Sequence, residues 1–288
     1  MNTAADNLHL VDRLRLDVSK LTRSNRKIAE RLIEQPVAFI HSSVQDIARQ
    51  AEVSDATVVR FCRHYGYAGV PEFRIALAQA LADPDMSANR LFVEPNLSDK
   101  TLVNTRQKRA IARYATRFLV TDRAILLDSG STTEWFAHEL RAAPALTVMT
   151  TGLNVVNALA RSPQHTLMLP GGTVRVESMS IATRDIEIAL AGMNFDTAYL
   201  AADAIDPDRG LSTFREDEAR LNTAMAAAAR RLIILADSSK FRAPALHNFH
   251  EIENIHAIVT DSGATDAIVQ RIEARGTAVH RVEVKESL

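Results

Sequence analysis

The segment 43–66 carries apolar residues at helical spacing on both sides of a short break. They are Ile47, Ala48 and Ala51 on the first side and Val58, Phe61, Cys62 and Tyr65 on the second. The second set follows the i, i+3, i+4, i+7 spacing of a buried helical face. The pattern therefore predicts two short helices that share one small core, with Ser54 as the N-cap of the second helix. Glu52 occupies the turn where glycine is usual, which is tolerable if the backbone there is only mildly strained.

Short polar and charged residues remain exposed at the start of the second predicted helix. They are Ser54, Asp55, Ala56, Thr57, Arg60 and, one turn further on, Arg63. Groups of this kind can contact base edges and phosphates in the major groove of DNA. The periodicity alone fits an ordinary helical hairpin in a globular core equally well, because surface arginines are usually just solvated.

The wider segment 21–81 resembles the N-terminal DNA-binding domain of the RpiR family of bacterial transcription regulators. The resemblance rests on the residues ATVVRFCR followed by the pattern G-x-x-G-x-x-E-F. It implies that residues 54–63 form the recognition helix and that the partner is a double-stranded DNA operator.

Length and charge fit a two-domain regulator that lacks a strong general affinity for nucleic acid. The chain has 288 residues and a formal net charge of −1, so any affinity for DNA must come from a local basic face. Residues 1–82 contain eleven basic and nine acidic side chains. This weak excess suggests that a homodimer or homotetramer reading two half-sites supplies the affinity.

The remaining composition excludes several classes of protein. Cys62 is the single cysteine and lies on an apolar helical face, so neither a disulfide framework nor a thiolate metal site is predicted. His247-x-x-His250 has ligand-like spacing, but a structural or exposed pair is the favoured interpretation. No signal peptide or membrane-crossing run is visible, so we expect a cytoplasmic protein with no membrane partner, no metal and no cofactor.

Changes in pattern along the chain predict the domain boundaries. Residues 1–82 are predicted to form the DNA-binding domain, with no function assigned to residues 1–20. Residues 83–105 are predicted to be a linker, because the Pro, Asp, Ser and Asn residues at 83–99 show no clear period. In residues 106–288 short apolar strands alternate with helices, which predicts an α/β domain with a mostly parallel sheet covered on both faces.

Four polar loops follow predicted strands of this sheet, at the carboxyl ends where ligands bind in such folds. Their candidate residues are Asp128, Ser129, Gly130, Ser131, Thr132 and Thr133 in the first loop, Gly171, Gly172 and Thr173 in the second, Asp203 in the third and Lys240 in the fourth. The first loop opens a helix and can cradle a phosphate with free backbone N–H groups, although it lacks the lysine of a P-loop. Each loop alone also fits a plain turn or a solvated lysine, and convergence at one sheet edge is the stronger evidence.

A second resemblance covers about residues 106–261. The segments LLDSGSTTEWFAHEL, LMLPGGTVR, FDTAYLAADAIDPDRGLSTFREDEARLNTAM and RRLIILADSSKF resemble the C-terminal effector-sensing domain of DeoR-family regulators. That resemblance implies a fold similar to ribose-5-phosphate isomerase and an effector that is a phosphorylated sugar or sugar alcohol. It also adds Glu216 and Glu218 to the expected effector site. An RpiR-like DNA-binding domain joined to a DeoR-like sensor domain is unusual, so neither family resemblance alone predicts the operator sequence or the effector.

A sugar-phosphate isomerase-like enzyme fused to a DNA-binding domain is the alternative function. Isomerisation needs a carboxylate as general base, but alignment on ADSSK places Asn222 at the position of the isomerase glutamate and Leu200 at that of an aspartate. Asp203 and Lys240 are kept in that alignment, and Glu216 or Glu218 could substitute as the base. Because an amide cannot accept the proton, we expect a regulator, and specifically a repressor of a carbohydrate or polyol operon, rather than an enzyme.

Overall fold

The computed structural model describes residues 10–82 and 93–284, which belong to two compact units divided between Val103 and Asn104. Most of the first half of the 1–20 segment and the first ten residues of the predicted linker lie outside the described residues. Among the residues that are described, no helix is both long enough and apolar enough to cross a membrane.

The described part of the first unit is helical. Its helices are α1 (Leu10–Asp17), α2 (Arg23–Glu34), α3 (Pro36–His41), α4 (Val44–Gln50), α5 (Asp55–His64), α6 (Val70–Ala82) and α7 (Leu97–Leu102). Pro36 is the first residue of α3, a position that tolerates proline because no intrahelical bond needs its missing N–H. The apolar faces meet in one core whose fully buried members include Ile28, Phe61 and Phe73.

The break between α4 and α5 has the predicted geometry. Ser54 caps α5 by accepting a hydrogen bond from the Thr57 N–H at 3.3 Å. Glu52 has a φ of 51°, in the left-handed region where glycine is usual. Its carboxylate forms an ion pair with Lys27 of α2, which ties the turn to the neighbouring helix.

The second half of the predicted linker 83–105 contains a helix that the residue pattern did not predict. Val93 is buried in the core of the first unit, and α7 packs against α6. Asp99 of α7 is 4% exposed, and both of its carboxylate oxygens lie 3.4 Å from Nη1 of Arg74, itself 7% exposed on α6. This buried ion pair fixes α7 to the first unit.

The second unit alternates helices and strands. The helices are α8 (Thr105–Ala115), α9 (Ser131–Leu140), α10 (Leu153–Leu159), α11 (Ile186–Leu190), α12 (Glu216–Ala227) and α13 (Asp266–Glu273). The strands are β1 (Ala124–Leu127), β2 (Thr147–Thr150), β3 (Thr166–Met168), β4 (Thr173–Arg175), β5 (Ser180–Ala182), β6 (Phe195–Leu200), β7 (Ala204–Asp206), β8 (Gly210–Thr213), β9 (Ala229–Leu235), β10 (His247–His250), β11 (Ala257–Asp261) and β12 (Ala278–Val282).

Seven of these strands form the central sheet, in the order β12-β11-β9-β6-β1-β2-β3. Every pair of neighbours in it is parallel. Successive strand residues enter different cores, as Leu126 packs on one face and Ile125 and Leu127 pack on the other. The predicted α/β architecture, with a parallel sheet covered on both faces, is therefore confirmed.

Two small antiparallel pieces accompany the central sheet, and the residue pattern did not predict either. Strands β10, β8 and β7 form a three-stranded sheet, and β4 pairs with β5 in a hairpin. His247 and His250 lie at the two ends of β10. No group of three or more His, Cys, Asp and Glu side chains that could hold a metal ion occurs in the described parts of the chain.

Candidate DNA-reading helix and effector crevice

The start of α5 presents its side chains to solvent. Ser54, Asp55, Ala56, Arg60 and Arg63 are exposed, and Thr57 is half-buried. The opposite face of the helix is anchored in the core, where burial raises the pKa of the Cys62 thiol to about 12. That thiol is therefore protonated at neutral pH and serves as an apolar packing group.

The two arginines of α5 have different surroundings. Nη2 of Arg60 donates to the Thr57 hydroxyl at 3.0 Å, and that hydroxyl lies 2.9 Å from the Ser54 hydroxyl. Nε of Arg63 instead donates to the carbonyl of Ala68 at 3.2 Å, in the loop after the helix. Arg60 thus forms one polar group with the N-terminal turn, whereas Arg63 is partly engaged by its own loop.

In the second unit the strand order reverses between β1 and β6. The chain proceeds from β1 to β2 and β3 on one side and from β6 to β9, β11 and β12 on the other. A crevice forms at such a reversal, outside the carboxyl ends of the two strands, and is the usual ligand site of an open parallel sheet. The loops after β1, β6 and β9 lie around this position because these strands are neighbours.

Asp128 organises the loop after β1. Its Oδ1 accepts hydrogen bonds from the Gly130 N–H at 3.0 Å and from the Thr133 hydroxyl at 2.6 Å, and its Oδ2 accepts from the Ala201 N–H after β6. Burial raises the pKa of the Asp128 carboxyl above its usual value, although these donors oppose the shift. Asp128 and Thr133 therefore use their polar atoms to hold the two loops together, which makes them positioning residues.

The remaining residues of this loop form the start of α9. Ser129 and Gly130 are half-buried, and Ser131 and Thr132 are buried in the first turn of the helix. A Cβ on Gly130 would lie 3.1 Å from the Cβ of Ala201, so glycine permits the close approach of the two loops. The backbone N–H groups of this helix terminus favour an anion at the crevice.

The loops after β6 and β9 bring acidic and basic side chains together. Asp203 accepts a hydrogen bond from the Thr213 hydroxyl at 2.9 Å, and its backbone carbonyl accepts from Nε of Arg242 at 2.9 Å. Asp237, buried two residues after β9, accepts from the Asn104 amide at 2.9 Å. Lys240 is half-buried in the turn that follows Asp237.

Electrostatic interactions tie these side chains into one group. Burial opposes ionisation of Asp237, but the charge of Lys240 and the hydroxyl of Ser239 hold the pKa of its carboxyl below the usual value. Arg242 interacts with both Asp203 and Asp237. Arg242 is thus a second cation beside the predicted Lys240, and the residue pattern missed it.

The loop 171–173 follows β3, which is separated from β1 by β2, so it lies two strands away from the reversal. It opens the β4–β5 hairpin, where a Cβ on Gly172 would lie 2.3 Å from the carbonyl oxygen of Ala182. The loop lines a groove of about 460 Å³ with residues 182–185, 188 and 189. The hairpin is tied to the end of β2 by a 2.8 Å hydrogen bond from the Ile181 N–H to the Thr151 carbonyl.

At the start of α12 the carboxylate that binds arginine side chains is that of Asp217, which lies between the predicted site residues Glu216 and Glu218. Asp217 accepts from Arg175 of the hairpin at 2.5 Å and from Arg215 at 3.1 Å. Although burial opposes it, the hydrogen bonds and charges of these arginines lower the pKa of the Asp217 carboxyl. Glu216 is exposed and Glu218 is half-buried, so the acidic residue that joins α12 to the hairpin is the one not predicted.

Two further polar atoms beside the first loop are buried without a partner among the described residues. They are Oδ1 of Asn154, at the start of α10, and the hydroxyl of Thr151, directly after β2. The amide nitrogen of Asn154 donates to the Ser129 carbonyl at 3.3 Å, which places its side chain against the loop after β1. These atoms can bond to hydroxyl groups of a ligand, and only the structure identifies them.

The positions aligned with isomerase carboxylates carry no acid. Asn222 is 3% exposed on α12, and Leu200 is completely buried at the end of β6. Neither side chain can serve as a general base.

The sequence matches two families in succession. Residues 8–84 match the helix-turn-helix domain of the rpiR family, and residues 103–262 match the DeoR C terminal sensor domain. The chain belongs to the DeoR sensor-domain family. In this DeoR-type regulator the helix-turn-helix domain is of the RpiR type. The match confirms the pairing of an RpiR-type DNA-binding domain with a DeoR-type sensor domain that the sequence predicted.

Relatives of this DeoR-type chain are named as transcription regulators. A protein of Escherichia coli O157:H7 assigned as the aga operon transcriptional repressor is 37% identical over 187 residues, which cover 65% of this chain and 70% of the relative. The regulator GlpR of Haloferax volcanii is 27% identical over 82% of this chain and 90% of its own length. The repressor AccR of Agrobacterium fabrum is 33% identical over 62% of this chain and 69% of its own length.

Two solved structures each match one part of the chain. The N-terminal domain of the regulator ybbH from Bacillus subtilis is 31% identical and covers 27% of this chain and 95% of that chain, with a TM-score of 0.26. A ribose 5-phosphate isomerase from Methanocaldococcus jannaschii is 19% identical and covers 48% of this chain and 55% of that chain, with a TM-score of 0.36.

Proposed function

We propose that this DeoR-type protein represses a carbohydrate or polyol operon and that a phosphorylated sugar bound in the second unit controls its affinity for DNA. The observation that carries the proposal is the reversal of strand order between β1 and β6. Helix α9, which follows β1, presents its N-terminus at this edge of the sheet, and the cations Lys240 and Arg242 belong to the loop after β9, the strand next to β6. Helix N-terminal N–H groups and basic side chains are the donors that recognise phosphate.

Uncharged polar groups near the same loops can bind the hydroxyl groups of the sugar. Oδ1 of Asn154 and the hydroxyl of Thr151 are buried and lack partners among the described residues, so ligand hydroxyls would remove the energetic cost of leaving them unsatisfied. Glu218, half-buried at the start of α12, and Asp203, in the loop after β6, are proposed as further acceptors. The names of the relatives, an aga operon repressor and the regulator GlpR among them, support a role in transcription regulation.

Operator binding is assigned to α5, with Ser54, Asp55, Ala56, Thr57, Arg60 and Arg63 as the contact residues. A single short helix reads too few bases for tight binding, so we propose that two copies of the chain read two half-sites. The effector can change operator affinity only if it binds more tightly to one of two conformations of the sensor, and these must hold the paired recognition helices differently.

We further infer that the second unit is a sensor without isomerase activity. The inference rests on Asn222 and Leu200, which replace the aligned carboxylates, and on Asp128, whose oxygens are taken by its own loops. Interconversion of ribose 5-phosphate and ribulose 5-phosphate by the purified chain, abolished by Glu218→Gln, would contradict it.

The proposal is tested by selecting genomic DNA fragments with the purified chain and measuring release of the selected fragment by a panel of sugar phosphates. We expect one sugar phosphate to release the fragment from the unaltered chain, whereas its unphosphorylated parent does not. Failure to recover any preferred fragment, or equal release by sugar and sugar phosphate, would count against the proposal.

A further inference from the structure

One face of α8 and of the 3-10 turn that follows it carries a row of exposed arginines. They are Arg106, Arg109, Arg113 and Arg117. Spacings of three, four and four residues place side chains on the same side of a helix. None of the ion pairs among the described residues involves any of the four.

These arginines line a groove of about 620 Å³ between α8 and the end of β12. We call it the arginine groove. Arg281 also lines it and is paired with Asp266 at 2.6 Å, and Glu283 is a further lining residue. Five guanidinium groups thus accompany two carboxylates, and the groove is strongly positive in a chain whose formal net charge is −1.

Aromatic rings hold part of the row in place. The guanidinium of Arg109 lies 5.2 Å from the centre of the Trp135 ring, and that of Arg117 lies 4.6 Å from the centre of the Tyr114 ring. Such cation–π contacts restrict the side chains while leaving the N–H groups available. The loss of side-chain entropy on binding an anion is smaller for arginines that are already ordered.

The length of the arginine row indicates which kind of anion it can bind. At a rise of about 1.5 Å per residue, the row extends for roughly 16 Å along the helix axis. A small anion can contact only two adjacent guanidinium groups in such a row, whereas a nucleic acid strand presents a phosphate about every 3.4 Å of duplex axis. An extended polyanion is therefore the ligand that uses all four arginines.

We propose that the arginine groove binds backbone phosphates of duplex DNA, in addition to the contacts made by α5. The proposal rests on the proposed function to the extent that DNA is already bound to the same chain, so the groove meets it at high effective concentration. The contact carries no sequence information, because phosphates are common to all base pairs. It raises affinity for any duplex and makes that affinity more dependent on salt.

The test compares two charge-matched variants of the full chain. In the first, Arg106, Arg109 and Arg113 are all changed to glutamine. In the control, Arg141, Arg161 and Arg230, three exposed arginines of the same unit outside the groove, receive the same change. Binding to a mixed-sequence duplex is measured by fluorescence anisotropy between roughly 50 and 200 mM salt.

The slope of log K against log salt is negative, and we expect its magnitude to be smaller by about 2.7 for the groove variant than for the control, since each lost phosphate contact removes about 0.9. Far-UV circular dichroism establishes that both variants are folded. Equal slopes for the two variants would overturn the proposal. A change in oligomer mass by light scattering with an unchanged slope would also overturn it, by showing that the groove binds a second copy of the chain.

The same experiment separates this inference from the proposed function. If the unaltered chain shows no preference for any genomic fragment but the slopes differ as expected, the groove binds DNA and the operator assignment fails. If the fragment preference is present and the slopes are equal, the operator assignment stands and the groove proposal fails.

Discussion

Removal of the Asp99 carboxylate is expected to destabilise the first unit more than any change to a surface ion pair. Arg74 and Asp99 are 7% and 4% exposed, so Asp99→Ala leaves a buried guanidinium without its counter-charge. Breaking a buried pair in this way costs about 3 to 5 kcal/mol. For a unit of this size each kcal/mol lowers the melting midpoint by about 4 to 8 °C. The lower limits together give a fall of at least about 12 °C.

The pair itself is expected to add little net stability. One nitrogen of Arg74 contacts both carboxylate oxygens at 3.4 Å, and Nε of Arg74 is buried with no hydrogen-bond partner among the described residues. Burial raises the pKa of the Asp99 carboxyl although the Arg74 charge opposes the shift, which indicates that desolvation outweighs the attraction. The double variant Arg74→Met with Asp99→Leu should therefore recover most of the stability lost by Asp99→Ala. It does not recover the contribution of the hydrogen bond from Arg74 to the Ser42 carbonyl, which methionine cannot form.

The assay uses the single tryptophan of the chain as an internal control. Trp135 lies on α9 of the second unit, so its fluorescence reports that unit, while far-UV circular dichroism also detects the helical first unit. Glu34→Ala, which breaks the exposed pair with Arg31, is the matched variant and should cost less than about 1 kcal/mol. The reasoning is refuted if Asp99→Ala melts like Glu34→Ala, or if the double variant is as unstable as Asp99→Ala.

Three further substitutions test the assigned roles. Arg60→Ala should weaken binding to the selected DNA fragment by about 1 to 3 kcal/mol with no change in effector binding, whereas Arg161→Ala should alter neither; loss of effector binding in Arg60→Ala would show that the units are wrongly assigned. Lys240→Ala should bind the fragment and fail to release it with the sugar phosphate, and normal release would remove Lys240 from the site. Asp237→Asn should lower the stability of the second unit at pH 7. Because the folded-state pKa of Asp237 is depressed, its stabilising effect is present above the ordinary pKa and lost as the pH falls through the folded value. The difference in urea midpoint between Asp237→Asn and the unaltered chain should therefore shrink in acid, and a constant difference would show that ionisation is irrelevant.

Local residue patterns were sufficient to predict the DNA-binding helices and the central sheet. Ser54 and the apolar stripe of α5 are set by spacing within one helix, so the residue pattern predicts both the N-cap and the buried face. The parallel sheet follows from short apolar strands alternating with helices, because both faces of such a sheet must be covered. The turn at Glu52 shows that a non-glycine residue can hold a positive φ when a neighbour such as Lys27 binds its side chain.

Long-range contacts account for what the pattern missed. Helix α7 has few apolar residues of its own and depends on Asp99 meeting Arg74, 25 residues earlier. The β4–β5 hairpin has strands of three residues, too short to show alternation, and its Arg175 pairs with Asp217 from 42 residues away. Arg242 follows no recognisable motif, and only the fold places it beside Asp203 and Asp237.

The central claim is that a sugar phosphate binds in the second unit. It is tested most directly by following thermal unfolding through Trp135 fluorescence, with each sugar phosphate compared with its unphosphorylated parent. A ligand present at 100 times its Kd stabilises the native state by about 2.7 kcal/mol, which for a unit of this size raises the midpoint by about 5 °C or more. The account predicts such a rise with one sugar phosphate, none with its parent, and none with Lys240→Ala. A rise that is equal for the sugar and its phosphate, or that survives in Lys240→Ala, would contradict it.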